Sequence, residues 1–187
     1  GVKDVQSAIN MIGQTPYLEF LEQRPEAETQ QIINKIKEVQ KVQEEKGDIS
    51  KIKDWQSALQ NPYFKSTELT GKYLLKVNVI FDQTIYKPQI EIVFNKYGEK
   101  LFEQITEKNI KKPLAIFLDG ASIIDTSGDG KIDAQDLYAP IVQDKITGGR
   151  AVITGDMSTQ KANEIAKRLN SGALPVKIGN PISQQTV

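Results

Sequence analysis

The sequence predicts an α+β fold, and three observations carry that prediction. Lys76–Asp82 and Gln89–Phe94 each alternate apolar and polar residues around a turn at 83–88, the pattern of a β-hairpin with one buried face. Ala162, Ile165, Ala166 and Leu169 follow the i, i+3, i+4, i+7 spacing of a helix with one apolar face. That helix lies between two strand-like runs, Arg150–Thr154 and Ala173–Ile178, so Ile146–Ile178 reads as a β-α-β unit.

The remaining elements follow in chain order. Asp4 caps a short helix with Val5, Ala8, Ile9 and Ile12 on one face, ending at Gly13, and Tyr17–Leu21 is strand-like. Glu26–Lys46 is a long polar helix with a stripe of Ile32, Ile36, Val39 and Val42, broadened by Ile33 and stopped at Gly47. One stripe on a polar helix is the mark of a surface helix packed on its own domain, rather than a docking helix for another chain. Ser50–Gln60 reads as a second helix, with Ile52, Trp55, Ala58 and Leu59 apolar and Trp55 as a core anchor. Together the two make a helical hairpin, an insertion at 26–61. Pro62–Phe64 and Leu69–Leu74 form an irregular lead-in to the hairpin strands. Asn95 caps a helix whose inner face is Leu101, Phe102 and Ile105, with Tyr97 a turn earlier and Ile110 near the end. Pro113–Asp119 is a short buried strand that stops at Gly120. Ile141–Ile146 is a further strand that turns at Thr147-Gly148-Gly149. Ser158 caps the last helix, Gly172 suits the left-handed residue after it, and Pro175 marks the final strand as an edge.

Composition narrows the function. The 187 residues hold 24 Lys plus Arg against 24 Asp plus Glu, so net charge gives no general attraction to nucleic acid or an anionic membrane. There is no Cys and no His, which removes thiol nucleophiles, disulfides, His general bases and Cys/His zinc sites. A carboxylate pair or a Ser/Lys dyad is the catalytic machinery left, and no Asp or Glu here stands out from a solvated face or a cation loop; the chain is read as non-enzymatic. No apolar run approaches the roughly 20 residues of a spanning helix.

One loop has ligand chemistry. Residues 125–136, Asp-Thr-Ser-Gly-Asp-Gly-Lys-Ile-Asp-Ala-Gln-Asp, fit the twelve-residue EF-hand pattern. Asp125, Ser127 and Asp129 stand at side-chain ligand positions 1, 3 and 5, and Gly130 stands where the sharp turn needs it. Lys131 offers its carbonyl, Ile132 holds the loop to the body, and Asp133 binds directly or through water. Asp136 takes the last position, where Glu is usual; calcium loops of the dockerin type resemble this one in having Asp there, although dockerins carry two loops. Four carboxylates opposed only by Lys131 repel one another in a compact loop unless a cation neutralises them. Oxygen ligands without His favour one structural calcium ion.

Several segments together resemble SecD, a membrane-embedded accessory subunit of the bacterial Sec protein translocase. They are Ile12-Gly13 with Leu18-Glu19-Phe20, Leu69-Thr70-Gly71, Lys112–Gly120, Ile146–Gly149, Ile153-Thr154-Gly155 and Leu169–Val176. The resemblance covers roughly residues 1–20 and 67–178, in that order, and is to the large extracytoplasmic domain. It implies a ferredoxin-like base, incomplete in this stretch, built from 1–22 and 151–187, and a protruding α+β head at 23–150. Relative to the family pattern, which joins its Leu-Asp-Gly strand almost directly to an Ala-Pro dipeptide (here Ala139-Pro140), the loop at 125–136 is an insertion. The resemblance also implies a partnership with a SecF-like subunit and the Sec channel, contact with an unfolded preprotein, and a location on the extracytoplasmic face of the bacterial membrane. Anchoring helices are then expected before Gly1 and after Val187. The family's proton-carrying carboxylates lie in membrane helices, so no catalytic residue carries over. A stand-alone calcium-stabilised extracellular binding or scaffold module is the alternative that the acidic loop alone suggests.

Overall fold

The computed structural model describes residues 16–172. The helix expected at 4–12 and the strand expected at Ala173–Ile178 lie outside the described residues.

The first strand, β1 (Leu18–Gln23), is followed by α1 (Glu26–Glu44), then two short 3-10 turns at Ile49–Lys51 and Trp55–Leu59. Next come β2 (Phe64–Thr70), β3 (Leu74–Phe81), β4 (Pro88–Phe94), α2 (Lys96–Lys108), β5 (Leu114–Leu118), β6 (Ala121–Ser122), β7 (Arg150–Ile153) and α3 (Thr159–Gly172). The strands form two antiparallel sheets, ordered β2-β1-β5-β6 and β3-β4-β7.

Alternating apolar residues turn one face of each sheet inward. Val77, Ile90, Ile92, Phe94 and Ile153 from the second sheet share one core with Leu18, Phe20, Ile116 and Leu118 from the first. The hairpin expectation holds: β3 and β4 pair from Leu74↔Phe94 to Phe81↔Pro88. Helix α3 buries the four residues of its predicted stripe, and Ser158 Oγ accepts from the Lys161 N–H at 3.1 Å. Its Asn170 reaches the outer edge of β3, accepting from Val77 N–H at 2.9 Å and donating to Val77 C=O at 2.7 Å. Asn95 caps α2 as expected, accepting from the N–H groups of Tyr97 and Gly98, each at 3.0 Å.

Three rings bind the layers together. Phe20 on β1 meets Phe94 on β4 edge-on at 5.6 Å between centroids, and Phe102 on α2 lies 6.1 Å from Phe20 and 5.3 Å from Phe94. Such pairs add about 0.5–1.5 kcal/mol each beyond the area they bury. A second tie is polar. Glu22 on β1 is buried and accepts from Lys108 at 2.9 Å and Asn109 at 3.2 Å at the end of α2, with Lys65 of β2 at 3.7 Å. Burial pushes its carboxyl up, but those hydrogen bonds and the charges of Lys108 and Lys65 outweigh it and hold the group below its ordinary value.

The two-residue loop between β5 and β6 is Asp119-Gly120, with φ of 56° and 80°, the backbone of a type I′ hairpin turn. Asp119 Oδ1 also accepts from Tyr17 N–H at 2.8 Å, and its other oxygen pairs with Arg168 of α3.

Several expectations are corrected. Ser50–Gln60 is not an α-helix: the two 3-10 turns are separated at Asp54, whose φ is 55°, and Leu59 is 63% exposed. The inserted helical hairpin is therefore one helix, α1, backed by turns, and Trp55 is half-buried outside the core. At the end of α1 the left-handed residue is Lys46, φ 54°, rather than Gly47. Lys46 N–H donates to Gln43 C=O and Gly47 N–H to Val42 C=O, which is the Schellman arrangement with Gly47 one place further on. A Cβ on Gly47 would fall 2.8 Å from Val42 Cγ1, so the close approach explains the glycine. Gly172 is the last helical residue of α3, not the residue beyond it. Tyr97 is 77% exposed, and the inner face of α2 ends instead on Thr106, which is fully buried.

Two strand expectations also change. Phe64–Thr70 is a full strand, hidden in the sequence because a bulge opposite Glu19–Leu21 breaks its alternation. Ile141–Ile146 is not a strand. Tyr138–Val142 runs along β5, with Ile116 N–H donating to Tyr138 C=O and Leu114 N–H to Pro140 C=O. At Pro140 and Tyr138 no bond returns, because Pro140 has no N–H and Tyr138 N–H goes to Ser122 Oγ; Val142 N–H alone returns one, to Lys112 C=O at 3.0 Å, leaving a single bridge at Pro113↔Ile141. Residues of β1, β7 and α3 share one core cluster with the strands between them.

Gly98 tests how tightly the sheet and helix meet, since a Cβ there would lie 2.7 Å from Tyr73 Cβ and 3.0 Å from Phe94 Cβ. Helix propensity alone gives Gly98→Ala a gain of about 1 kcal/mol. The contacts predict the opposite sign, a loss of about 1–3 kcal/mol, read from the urea midpoint.

Candidate functional site

Between the two sheets an apolar groove of about 340 Å³ opens to the surface. Its floor is Phe20 and Phe102, one wall is Leu114 and Ile116 of β5, and the other is Ala151 and Val152 of β7. Residues 140–146 form a strap along one side, with Ile141 48% and Ile146 38% exposed. The strap is irregular, so side chains hold it. Thr106 Oγ donates to Phe102 C=O at 2.8 Å and accepts from Ile146 N–H at 3.0 Å. Lys145 pairs with Glu103 at 2.8 Å and Glu107 at 3.4 Å, and the hydrogen bond it donates to Glu103 raises its ammonium above the ordinary value. At the strap's other end the Tyr138 hydroxyl accepts from Thr154 N–H at 3.0 Å, joining strap to β7.

The acidic loop lies apart from this groove. Asp125 accepts from Gly128 N–H at 2.6 Å and Gly130 N–H at 2.7 Å, and from Ser127 Oγ at 3.2 Å. Asp129 accepts from Lys131 N–H and Asp133 from Gln135 N–H, each at 2.8 Å. Asp136 is buried and closes the loop: one oxygen accepts from Thr126 N–H at 2.7 Å and Ser127 N–H at 2.9 Å, the other from Asp133 N–H at 2.9 Å. Those backbone donors hold its carboxyl at a pKa of about 2. Gly128 and Gly130 take φ of 81° and 86°, and Ile132 lines a surface cleft with Ile124 and with Met157, just before α3. The chain thus curls as the sequence pattern requires, but among the described residues no cluster of three or more carboxylates is gathered in metal-binding geometry. Asp125, Ser127, Asp129, Lys131, Asp133 and Asp136 share one loop and are tied to its own backbone.

A model of the SecDF P1 head subdomain matches residues 49–176. The chain belongs to this family. The match runs through β7, α3 and the acidic loop and begins after α1. The protein translocase subunit SecD of Syntrophobacter fumaroxidans is 32% identical over 189 residues, covering all of this chain and 32% of that protein. SecDF of Thermus thermophilus is 41% identical over 110 residues, covering 59% of this chain and 13% of that one. A solved structure described as a membrane component SecDF that enhances protein export superposes with a TM-score of 0.54 at 30% identity, covering 94% of this chain and 71% of that one. SecDF in a super-membrane-facing form gives a TM-score of 0.55, also at 30% identity, covering 94% of this chain and 21% of that chain. The chain spans about a third of the length of the full-span SecD relatives. The family is one of protein translocation. Among the described residues no helix is long and apolar enough to cross a membrane.

The P1 head motifs now have physical reasons. Asp119-Gly120 is the type I′ turn tied to β1 and α3. A Cβ on Gly155 would collide with Ile124 Cδ1, and one on Gly149 would lie 2.9 Å from Glu99 Cβ. Thr106, Tyr138 and Val152, which shape the groove, carried no signal in the sequence, because a Thr in a helix and a Tyr beside a proline have many unremarkable uses.

Thr106→Val keeps the shape and removes the hydroxyl that pins the strap. Stability falls by about 1–3 kcal/mol, as for a buried donor left unpaired, and the Ile146 amide exchanges faster. Thr106→Ser restores both.

Proposed function

We propose that this domain contacts an unfolded preprotein emerging on the extracytoplasmic side of the membrane, with the groove between β5 and β7 as the contact surface. The observation that carries this reading is an open apolar groove, floored by core phenylalanines, in a member of a protein-export family. An unfolded chain exposes the apolar side chains that such a surface takes up. The domain works with a SecF-like subunit and the Sec channel, and its movement is coupled to proton-driven translocation by membrane segments outside this chain. The domain is further proposed to comprise a ferredoxin-like base from 1–22 and 151–187 and a protruding head at 23–150. Balanced charge gives no nucleic-acid partner a footing. The stand-alone module gains no support from the family match.

A photo-crosslinking residue at Ile141 or Val152, in the full-length protein in exporting membranes, captures preprotein in transit, whereas one at Gln40 on α1 does not. Equal capture from both places, or none from the groove, sinks this assignment.

For the loop at 125–136 we infer one structural calcium ion held by Asp125, Ser127, Asp129, the Lys131 carbonyl, Asp133 and Asp136. Four carboxylates opposed by one Lys favour a cation, and the turn at Gly130 curls the chain around Asp125. Ligation by Asp136 requires it to share or exchange its backbone donors. Calcium at a hundredfold its Kd raises stability by about 2.7 kcal/mol, read as a higher Tm. Asp125→Ala with Asp129→Ala abolishes the shift; a wild-type Tm indifferent to calcium removes the ion from the account.

A further inference from the structure

The register of β7 determines which of its main-chain groups face the groove. Phe94 N–H donates to Gly149 C=O at 2.8 Å, and the pairing continues through Ile92↔Ala151 and Ile90↔Ile153. In an antiparallel ladder alternate residues direct their N–H and C=O to the same neighbour. Gly149, Ala151 and Ile153 therefore face β4, while Arg150 and Val152 present theirs to the other side. β7 is the last strand of its sheet, and Val152 is 46% exposed and lines the groove. The next amide on that side, Thr154 N–H, is taken by the Tyr138 hydroxyl, so the fold closes one end of the edge with a side chain. The strap opposite directs its main chain to β5.

The groove therefore combines an apolar floor with a short polar rail, Arg150–Val152, about 10 Å long at the rise of a strand. We propose that an extended polypeptide binds here by strand addition, pairing its own main chain with the outer edge of β7 while alternate side chains enter the groove. This rests on the groove being the preprotein contact. A segment with both a main-chain ladder and apolar side chains at every second residue satisfies both surfaces; a folded surface or a lipid tail satisfies one. Main-chain pairing does not read sequence, which suits a surface that must take many different unfolded chains. The short rail keeps each engagement weak, so the chain can move on.

The test uses the whole chain and an unstructured twelve-residue peptide of alternating leucine and serine with terminal lysines, beside a copy N-methylated at alternate residues. The parent peptide binds, and N-methylation weakens it roughly tenfold, the scale of one or two lost hydrogen bonds. Val152→Pro removes an outward N–H without touching the ladder to β4, so the domain stays folded by circular dichroism and loses affinity to a similar extent. Val152→Ala, which keeps the N–H, loses much less. If both peptides bind wild type alike, strand addition is wrong and the groove as an apolar contact stands. If the parent peptide does not bind at all, both readings fall. Should Val152→Pro unfold, the two peptides on wild type decide alone.

Discussion

The meeting of Phe20, Phe94 and Phe102 is the contact on which the rest of the domain depends. Each ring comes from a different layer: one sheet, the other sheet, and α2. Two antiparallel sheets without a shared barrel have no main-chain bonds between them, so their spacing is set by side chains alone. The rings set that spacing wide enough that the sheets do not close on the β5–β7 side. The groove is what remains, and two of the three rings are its floor. Core and candidate contact surface are thus the same residues seen from two sides.

Legibility in the sequence followed how local each cause was. Alternation in β3 and β4, the Asn95 and Ser158 caps and the stripe of α3 are short-range rules, and they held. β2 was obscured by a bulge whose cause lies across the sheet, where Thr67 Oγ1 donates to Phe20 C=O at 2.7 Å. Ile141, Val142 and Ile146 suggest a strand in the strap; Pro140 and the diversion of Tyr138 N–H decide otherwise, and only the second is a tertiary event. Size alone assigns Trp55 to the core, but the 3-10 turns around it leave its segment at the periphery. The groove is the extreme case: its residues come from β1, α2, β5, the strap and β7, and no single segment foretells their meeting. The acidic loop was legible as a pattern, although its carboxylates first serve the chain's own amides.

The loop also shows how a long excursion is accommodated. Asp136, at its end, takes the amides of Thr126 and Ser127, at its start. Entry and exit are held side by side, so the loop leaves β6 and returns to the flank of β5 with the ladder around it intact. A carboxylate with three main-chain donors costs little to bury, because its lone pairs are answered without water.

Asn170 has a consequence for self-association. Its amide completes the ladder at Val77 on the outer edge of β3, so the second sheet is plugged at that residue by a side chain, whereas β7 at the opposite margin is plugged at its end, by Tyr138 on Thr154, and not at Arg150 and Val152. A sheet open at both margins can stack copies end to end into a fibre. One open at a single margin can at most join two copies back to back about a twofold axis, and the joined pair then has no margin left in that sheet. Asn170 therefore works against such stacking at the β3 margin, by occupying the Val77 main-chain groups that a second copy would pair with.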